Sequence, residues 1–216
     1  DKPGQFNTKK ELESLLKTTH QFGHFTHHMT GGLHFGLQVF SKFPIIDKGT
    51  ITFENDDNNG GIYCDLKIKE DTVRIYNLHL GSIRLQNEDY AFFGDKTEIY
   101  KNKKGSQRII ERLQTAYEKR AVQVNQVMLH ISKSPYEVII CGDINDTPVS
   151  YAYRVLKQNM KDAFIENSFG IGTTYSGKIP ANRIDFIFYD PSLSTSDFII
   201  QENALSDHRA ITAVFN

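Results

Sequence analysis

Only two cysteines, Cys64 and Cys141, occur in 216 residues, and neither has the CxxC neighbour of a zinc site. Such a pair cannot build the disulfide framework of a small secreted scaffold. No run of about 18 apolar residues is present, so no stretch has the length and apolarity of a membrane-spanning helix. Excess charge of one sign is also missing: 25 Lys and Arg stand against 26 Asp and Glu, for a formal net charge of −1. That balance, with 39% hydrophobic residues, argues against a disordered chain and leaves no global basic footprint for gripping nucleic acid. Repeats, low-complexity tracts and Pro/Gly linkers are lacking as well. What remains is a single domain, residues 1–216, with material for one sizeable core. The first residue is Asp1 and not Met, which leads us to expect a processed or truncated piece.

The patterning that is present alternates mostly with period two, broken by a few helices. Residues 11–17 show helical spacing, with Thr8 as a cap ahead of Glu11. Leu33, Phe35, Leu37 and Val39 alternate up to Pro44, a strand ended by proline. Ile62, Cys64, Leu66 and Ile68 alternate with polar residues behind Asn58-Asn59-Gly60-Gly61, which reads as a turn within a hairpin from 49 to 69. Residues 72–80 form another strand, and a polar stretch runs from Gly81 to Lys104. The longest helical pattern follows, with Ile109, Leu113, Ala116, Tyr117, Val124, Val127, Met128 and Ile131 recurring at three or four residues. Tyr136 to Cys141 is nearly continuous in apolar residues, as a central strand covered on both faces would be. A helix at 149–158 and strands at 183–189, 197–202 and 209–215 complete a layered α/β domain.

Four short segments place titratable residues at strand ends, where sites gather. Asp143 and Asn145 in CGDINDTP stand two apart, so in extended backbone both side chains leave one face. A carboxylate beside a carboxamide offers a hard metal ligand and a neutral donor, a pair suited to a phosphate oxygen near Mg²⁺. Those residue types are equally at home in an ordinary turn. His79 ends NLHL and shares a face with Asn77, Ile75 and Val73, where a half-buried structural histidine would also fit. In RIDFIF, Asp185 shares its face with Ile187 while Ile184, Phe186 and Phe188 take the other; a carboxylate there needs a partner. Asp207 and His208 of SDH precede the final strand and offer one metal ligand and one base, with Asp185 able to orient the imidazole.

Taken in order, NLHL, GDINDTP, RIDFIF and the terminal SDH resemble the endonuclease/exonuclease/phosphatase superfamily, the metal-dependent phosphoesterases of DNase-I-like fold. The resemblance covers roughly residue 33 to the end. It implies a four-layer α/β/β/α sandwich of two mixed sheets flanked by helices, with the site at one rim. It also implies roles: His208 as general base or transition-state phosphate partner, oriented by Asp185; Asp143 aligning the attacking water; Asn145 holding the phosphate; His79 contacting the scissile phosphate. Asp207 and Asp143 would reach the cofactor, Mg²⁺ or Mn²⁺. Thr174 and Tyr175 fall on the site rim and would touch substrate.

The family carries two further motifs upstream, an Asn on a first strand and a Gln-Glu on a second whose Glu is the principal metal ligand. Neither stands before Leu33, and Glu11 and Glu13 sit in an exposed helical pattern that does not replace them. We therefore expect an N-terminally incomplete domain that on its own binds metal weakly and turns over little. Gly81 stands where many relatives carry an acidic residue, which touches the tuning around His79. The resemblance is closest to bacterial members in which such a domain follows hydrophobic N-terminal helices, which would put an anchor upstream of Asp1. His20, His24, His27 and His28 have spacings compatible with zinc, but no Cys or Asp completes a set. Lys101, Lys103, Lys104, Arg108, Arg112, Lys119 and Arg120 read as a phosphate-binding patch or, more simply, a solvated helix start. Cys64 and Cys141 read as buried, reduced thiols.

The functional expectation is a divalent-metal-dependent phosphoesterase that hydrolyses a phosphodiester, as a nuclease or a phospholipase-C-like enzyme does, or a phosphomonoester. Nucleic acid, a phospholipid headgroup and a small phosphorylated metabolite all stay open as substrates, and no protein partner is implied. The competing expectation is a non-catalytic binding module that retains the fold.

Overall fold

The computed structural model describes residues 8–29, 33–54, 56–86, 88–90, 103–177, 183–202 and 206–216. Its centre is a six-stranded mixed sheet. Strands β3 (Ile45–Phe53), β4 (Asp56–Ile68) and β5 (Asp71–His79) run as an antiparallel meander. β6 (Glu137–Asp143) lies parallel to β5, and a parallel neighbour demands a long crossover. The 29-residue helix α2 (Lys103–Ile131) belongs to that connection. β8 (Asp185–Tyr189) pairs antiparallel with β6, and the two-residue β7 (Lys161–Asp162) closes the edge.

Register is what positions the site. Across β5 and β6, His79 lies opposite Asp143; across β6 and β8, Asp143 lies opposite Asp185. The two parallel strands end where the antiparallel β8 begins, so three titratable residues from three strands fall in one row on one rim of the sheet.

Alternation along the strands feeds two cores. Tyr76, Leu78, Val138, Ile140, Phe186 and Phe188 point to one face, where Val124 and Val127 of α2 and Ala152 and Leu156 of α3 (Tyr151–Lys157) cover them. Ile139, Ile187 and Tyr189 point to the other, with Val73, Ile75 and Cys141 beside them. Phe198 of β9 (Thr195–Ile200) and Ile211, Ala213 and Phe215 of β10 (Ile211–Phe215) close that second core. The β9–β10 pair is a two-stranded sheet, as is β1 (His20–Met29) with β2 (Leu33–Ser41), which lies over β4 and β5. Asn77 of β5 donates Nδ2–H to the Gln38 carbonyl of β2 across that gap at 3.2 Å. Two further short helices are α1 (Thr8–Leu16) and α4 (Ala163–Asn167).

The α/β class, the mixed sheet and its flanking helices agree with the sequence expectation. Of the apolar run at 136–141, Val138, Ile139 and Ile140 are buried, Val138 and Ile140 in one core and Ile139 in the other, whereas Glu137 is exposed. One element differs. Asn58-Asn59-Gly60-Gly61 is not a turn but lies inside β4, where Gly60 and Gly61 pair with Thr52 and Ile51 of β3. The glycines there serve close packing: a Cβ on Gly61 would come within 2.6 Å of Leu78 Cδ2, and one on Gly60 within 3.1 Å of the Ile51 carbonyl oxygen. Of the two thiols, Cys64 is buried and Cys141 only half-buried. In the polar stretch from Gly81 to Lys104, residue 87 and residues 91–102 lie outside the described residues.

Candidate active site

The row on the rim is completed by His208, carried on the segment between β9 and β10. Its Nδ1 lies 3.0 Å from Asp185 Oδ2 and 3.2 Å from Oδ1. That segment is zipped to the one ahead of β8. Arg209 N–H donates to the Thr174 carbonyl at 2.7 Å, Ser176 N–H donates to the Asp207 carbonyl at 2.8 Å, and the Tyr175 and His208 rings meet edge to face at 5.1 Å. Thr174 itself is fully buried, and its Oγ1 accepts the Ile184 and Asp185 N–H groups, both at 3.1 Å. It sets the start of β8, and only Tyr175 of the expected pair faces the cavity.

Asp143 and Asn145 meet, but not through extended backbone. Gly142 has φ +152, where a Cβ would fall 2.0 Å from the Leu78 carbonyl oxygen, so only glycine fits. Asn145 is left-handed at φ +54, a conformation asparagine tolerates better than most residues. The resulting turn lets Asn145 N–H donate to Asp143 Oδ1 at 2.7 Å and Asn145 Nδ2–H to Oδ2 at 3.0 Å. Nδ2 also donates to the Leu80 carbonyl at 2.9 Å. In this arrangement Asn145 orients the Asp143 carboxylate and ties it to the end of β5.

Electrostatics sharpen the picture. Burial pushes the Asp143 carboxyl up to about 7, with the nearby Asp185 charge adding to the shift and the Asn145 N–H opposing it. The hydrogen bond to Asp185 raises His208, which favours its imidazolium. His79 is lowered, because burial outweighs its bond to the Asn58 backbone. Its Nε2 lies 3.7 Å from Asp143 Oδ2, and His208 Nε2 lies 3.9 Å from the same oxygen. Two imidazoles therefore flank one carboxylate at the mouth of a cavity of about 450 Å³.

Ligand atoms of Asp143, Asp185 and His208 all lie within 4.8 Å of one another, the one such group among the described residues. Two carboxylates this close repel when both are ionised, which adds to the burial that raises Asp143, and a hard divalent cation would relieve that repulsion. The donor set therefore fits a divalent cation. Asp207 lines the cavity, but its carboxylate is not part of the cluster. The β1 histidines belong to no such cluster among the described residues, and the side chains of His27 and His28 lie outside them.

Sequence reasoning missed the support beneath the site. Lys104 is exposed, as a solvated helix start would have it, but Arg108, Arg112, Lys119 and Arg120 of α2 are taken up by acidic partners. Arg120 is 1% exposed, with Nε donating to Asp146 Oδ2 at 2.8 Å and Nη1 to the Gly81 carbonyl at 2.9 Å. Arg108 and Arg112 clamp the buried Asp89 at 2.8 and 3.2 Å, and Lys119 meets the buried Asp56 at 2.6 Å. Lys101 and the Lys103 side chain lie outside the described residues. Gln123 donates to Asp56 at 2.7 Å and accepts from Gly81 N–H at 2.8 Å. A Cβ on Gly81 would meet Lys119 Cδ at 3.1 Å, so this glycine admits the helix to the end of β5. The available signal was polar residues 119, 120 and 123 recurring beside Ala116, Val124 and Val127, since buried charge must find partners.

Fold and rim together define a phosphoesterase-type scaffold. The chain belongs to the endonuclease/exonuclease/phosphatase family, whose sequence profile matches residues 5–208. A search of curated proteins returns no significant match. Among solved structures, the human Nocturnin catalytic domain with bound sulfate is 17% identical, with 98% of this chain and 76% of that one covered at a TM-score of 0.67. A mannosyl-6-phosphatase from Bacteroides thetaiotaomicron is 14% identical over 96% of this chain and 80% of its own, at 0.64. A humanised D. rerio TDP2 is 14% identical with the same coverage, at 0.62. At these identities the likeness is one of fold.

Proposed function

We propose that the rim hydrolyses a phosphoester by in-line attack of water, in a reaction that depends on Mg²⁺ or Mn²⁺. The observation that carries this reading is the row His79, Asp143, Asp185 across three strands, with His208 held against Asp185 at 3.0 Å. Asp143, fixed at both oxygens by Asn145, aligns the attacking water, whose proton passes to solvent. His208, anchored through Nδ1, presents Nε2 to the charge that develops on the phosphoryl oxygens, and His79 approaches from the other side. The oxygen–phosphorus bond to water forms as the bond to the alcohol breaks, and the departing oxygen takes a proton from solvent. A divalent cation held by Asp143 and Asp185 would supply Lewis-acid stabilisation of that charge. With a net charge of −1, the chain offers little non-specific attraction to a long polyanion, which supports a small phosphoester as substrate.

The test is hydrolysis of simple phosphomonoesters and phosphodiesters at saturating Mg²⁺ or Mn²⁺, with and without EDTA. Chelation should abolish turnover, and Asp143→Asn should lower it by at least about 10²-fold. Turnover that survives both changes would exclude this assignment.

A further inference from the structure

Helix α2 changes partner along its length. Val124 and Val127 join the main core, whereas Ile109, Leu113 and Tyr117, spaced four apart on one helical face, belong to neither core cluster. They line the cavity at the rim instead, although Ile109 is buried. The facing wall is the segment after β5. Arg84 there has φ +54, a left-handed conformation that a non-glycine residue adopts only at a cost, and such strain gathers at functional sites. Its carbonyl accepts from Arg112 Nη1 at 3.0 Å, which fastens the turn to α2. Because of this kink Ile83, Arg84 and Leu85 all line one cavity, where an extended chain would turn the middle residue away.

The cavity that begins at His79, Asp143 and His208 thus ends at an apolar wall, which a phosphoryl group has no use for. Arg120 on that wall is matched with Asp146 at 2.8 Å, and the Arg84 guanidinium, 56% exposed, lies 3.7 Å from Asp56. We propose that Ile83, Leu85, Ile109 and Leu113 bind a compact apolar substituent, of one or two rings, carried by the phosphoester whose phosphoryl group sits at the rim. This inference rests on the function proposed above for the position of the phosphate, and it names the substrate class. The volume of about 450 Å³ falls at the small end of the roughly 300–1,000 Å³ typical of small-molecule sites. It suits a phosphoryl group with a short ring-bearing group better than a polymer.

Phosphonates, which cannot be hydrolysed at the carbon–phosphorus bond, separate this inference from catalysis. Binding of phenylphosphonate and of methylphosphonate is measured by calorimetry in Mg²⁺ on wild type, Leu113→Gln and Leu113→Met. Wild type should bind phenylphosphonate at least about tenfold tighter than methylphosphonate. Leu113→Gln should erase most of that preference, and Leu113→Met, of similar volume and polarity, should keep it. Equal affinities in wild type, a preference untouched by Leu113→Gln, or no phosphonate binding by a protein that hydrolyses simple phosphoesters would overturn the inference. A phenyl preference in a protein without hydrolytic activity would instead uphold the apolar wall and sink the catalytic reading.

Discussion

Replacing Asp143 with Asn should make the metal-free protein more stable at pH 8 while removing its activity. The side chain is only 18% exposed, and burial pushes its carboxyl from an ordinary 3.8 up to about 7. An acid whose folded value lies above its unfolded one favours the folded state below the unfolded value. That contribution is then lost as pH rises through the folded value. At about 1.4 kcal/mol per pH unit, a gap of about three units puts roughly 4 kcal/mol against the ionised carboxylate at pH 8, as an upper bound. Asparagine removes that term but forfeits the bond from Asn145 Nδ2, at a cost of about 1 kcal/mol. A net gain of about 1–3 kcal/mol remains, or roughly 2–12 °C in melting temperature for a domain of this size. Thermal unfolding in EDTA at pH 8 and pH 5 measures it, and the gain should shrink at pH 5, where wild type carries much less of the penalty. Added Mg²⁺ should stabilise wild type more than the variant. An Asp143→Asn protein no more stable than wild type in EDTA at pH 8 would refute the claim that a strained, buried carboxylate sits at this rim.

Asp185→Asn should let the His208 imidazole fall back towards 6.5 in an NMR titration of the metal-free protein, because its carboxylate partner is the largest cause of the raise. Hydrolysis should drop by about 10²-fold with it; an unmoved titration would show that the dyad does not form. Arg120→Ala would leave the Asp146 carboxylate and the Gly81 carbonyl buried without their partner. A loss of about 3–5 kcal/mol in chemical denaturation is expected, and a change under about 1 kcal/mol would contradict the burial of that pair.

Much of the site could be read along the chain because three of its residues terminate or begin a strand of strong apolar pattern. His79 closes TVRIYNLHL, Asp143 closes EVIICGD and Asp185 opens DFIFY, so strand ends located the residues well. What could not be read was their alignment, since the pairing of Asp143 with Asp185 joins residues far apart in sequence and depends on register. The Asn58–Gly61 segment misled because turn formation and close strand packing both select glycine, and only the nearness of Leu78 distinguishes them. Asn145 misled in the opposite sense: its left-handed backbone, not alternation, turns it back onto Asp143. The α2 cations were the hardest case. Their acidic partners Asp56, Asp89 and Asp146 lie on three separate segments, and nothing in the local pattern of the helix announces them.

The most direct measurement compares wild type and His208→Ala on the best simple phosphoester at saturating Mg²⁺ or Mn²⁺, with folding checked by circular dichroism. His208 belongs to neither core cluster and meets the row through Asp185 at 3.0 Å and Asp143 at 3.9 Å, so its removal should spare the fold. A rate lower by at least about 10²-fold is the predicted result. Equal rates in the two proteins would contradict the assignment of this rim as the catalytic centre.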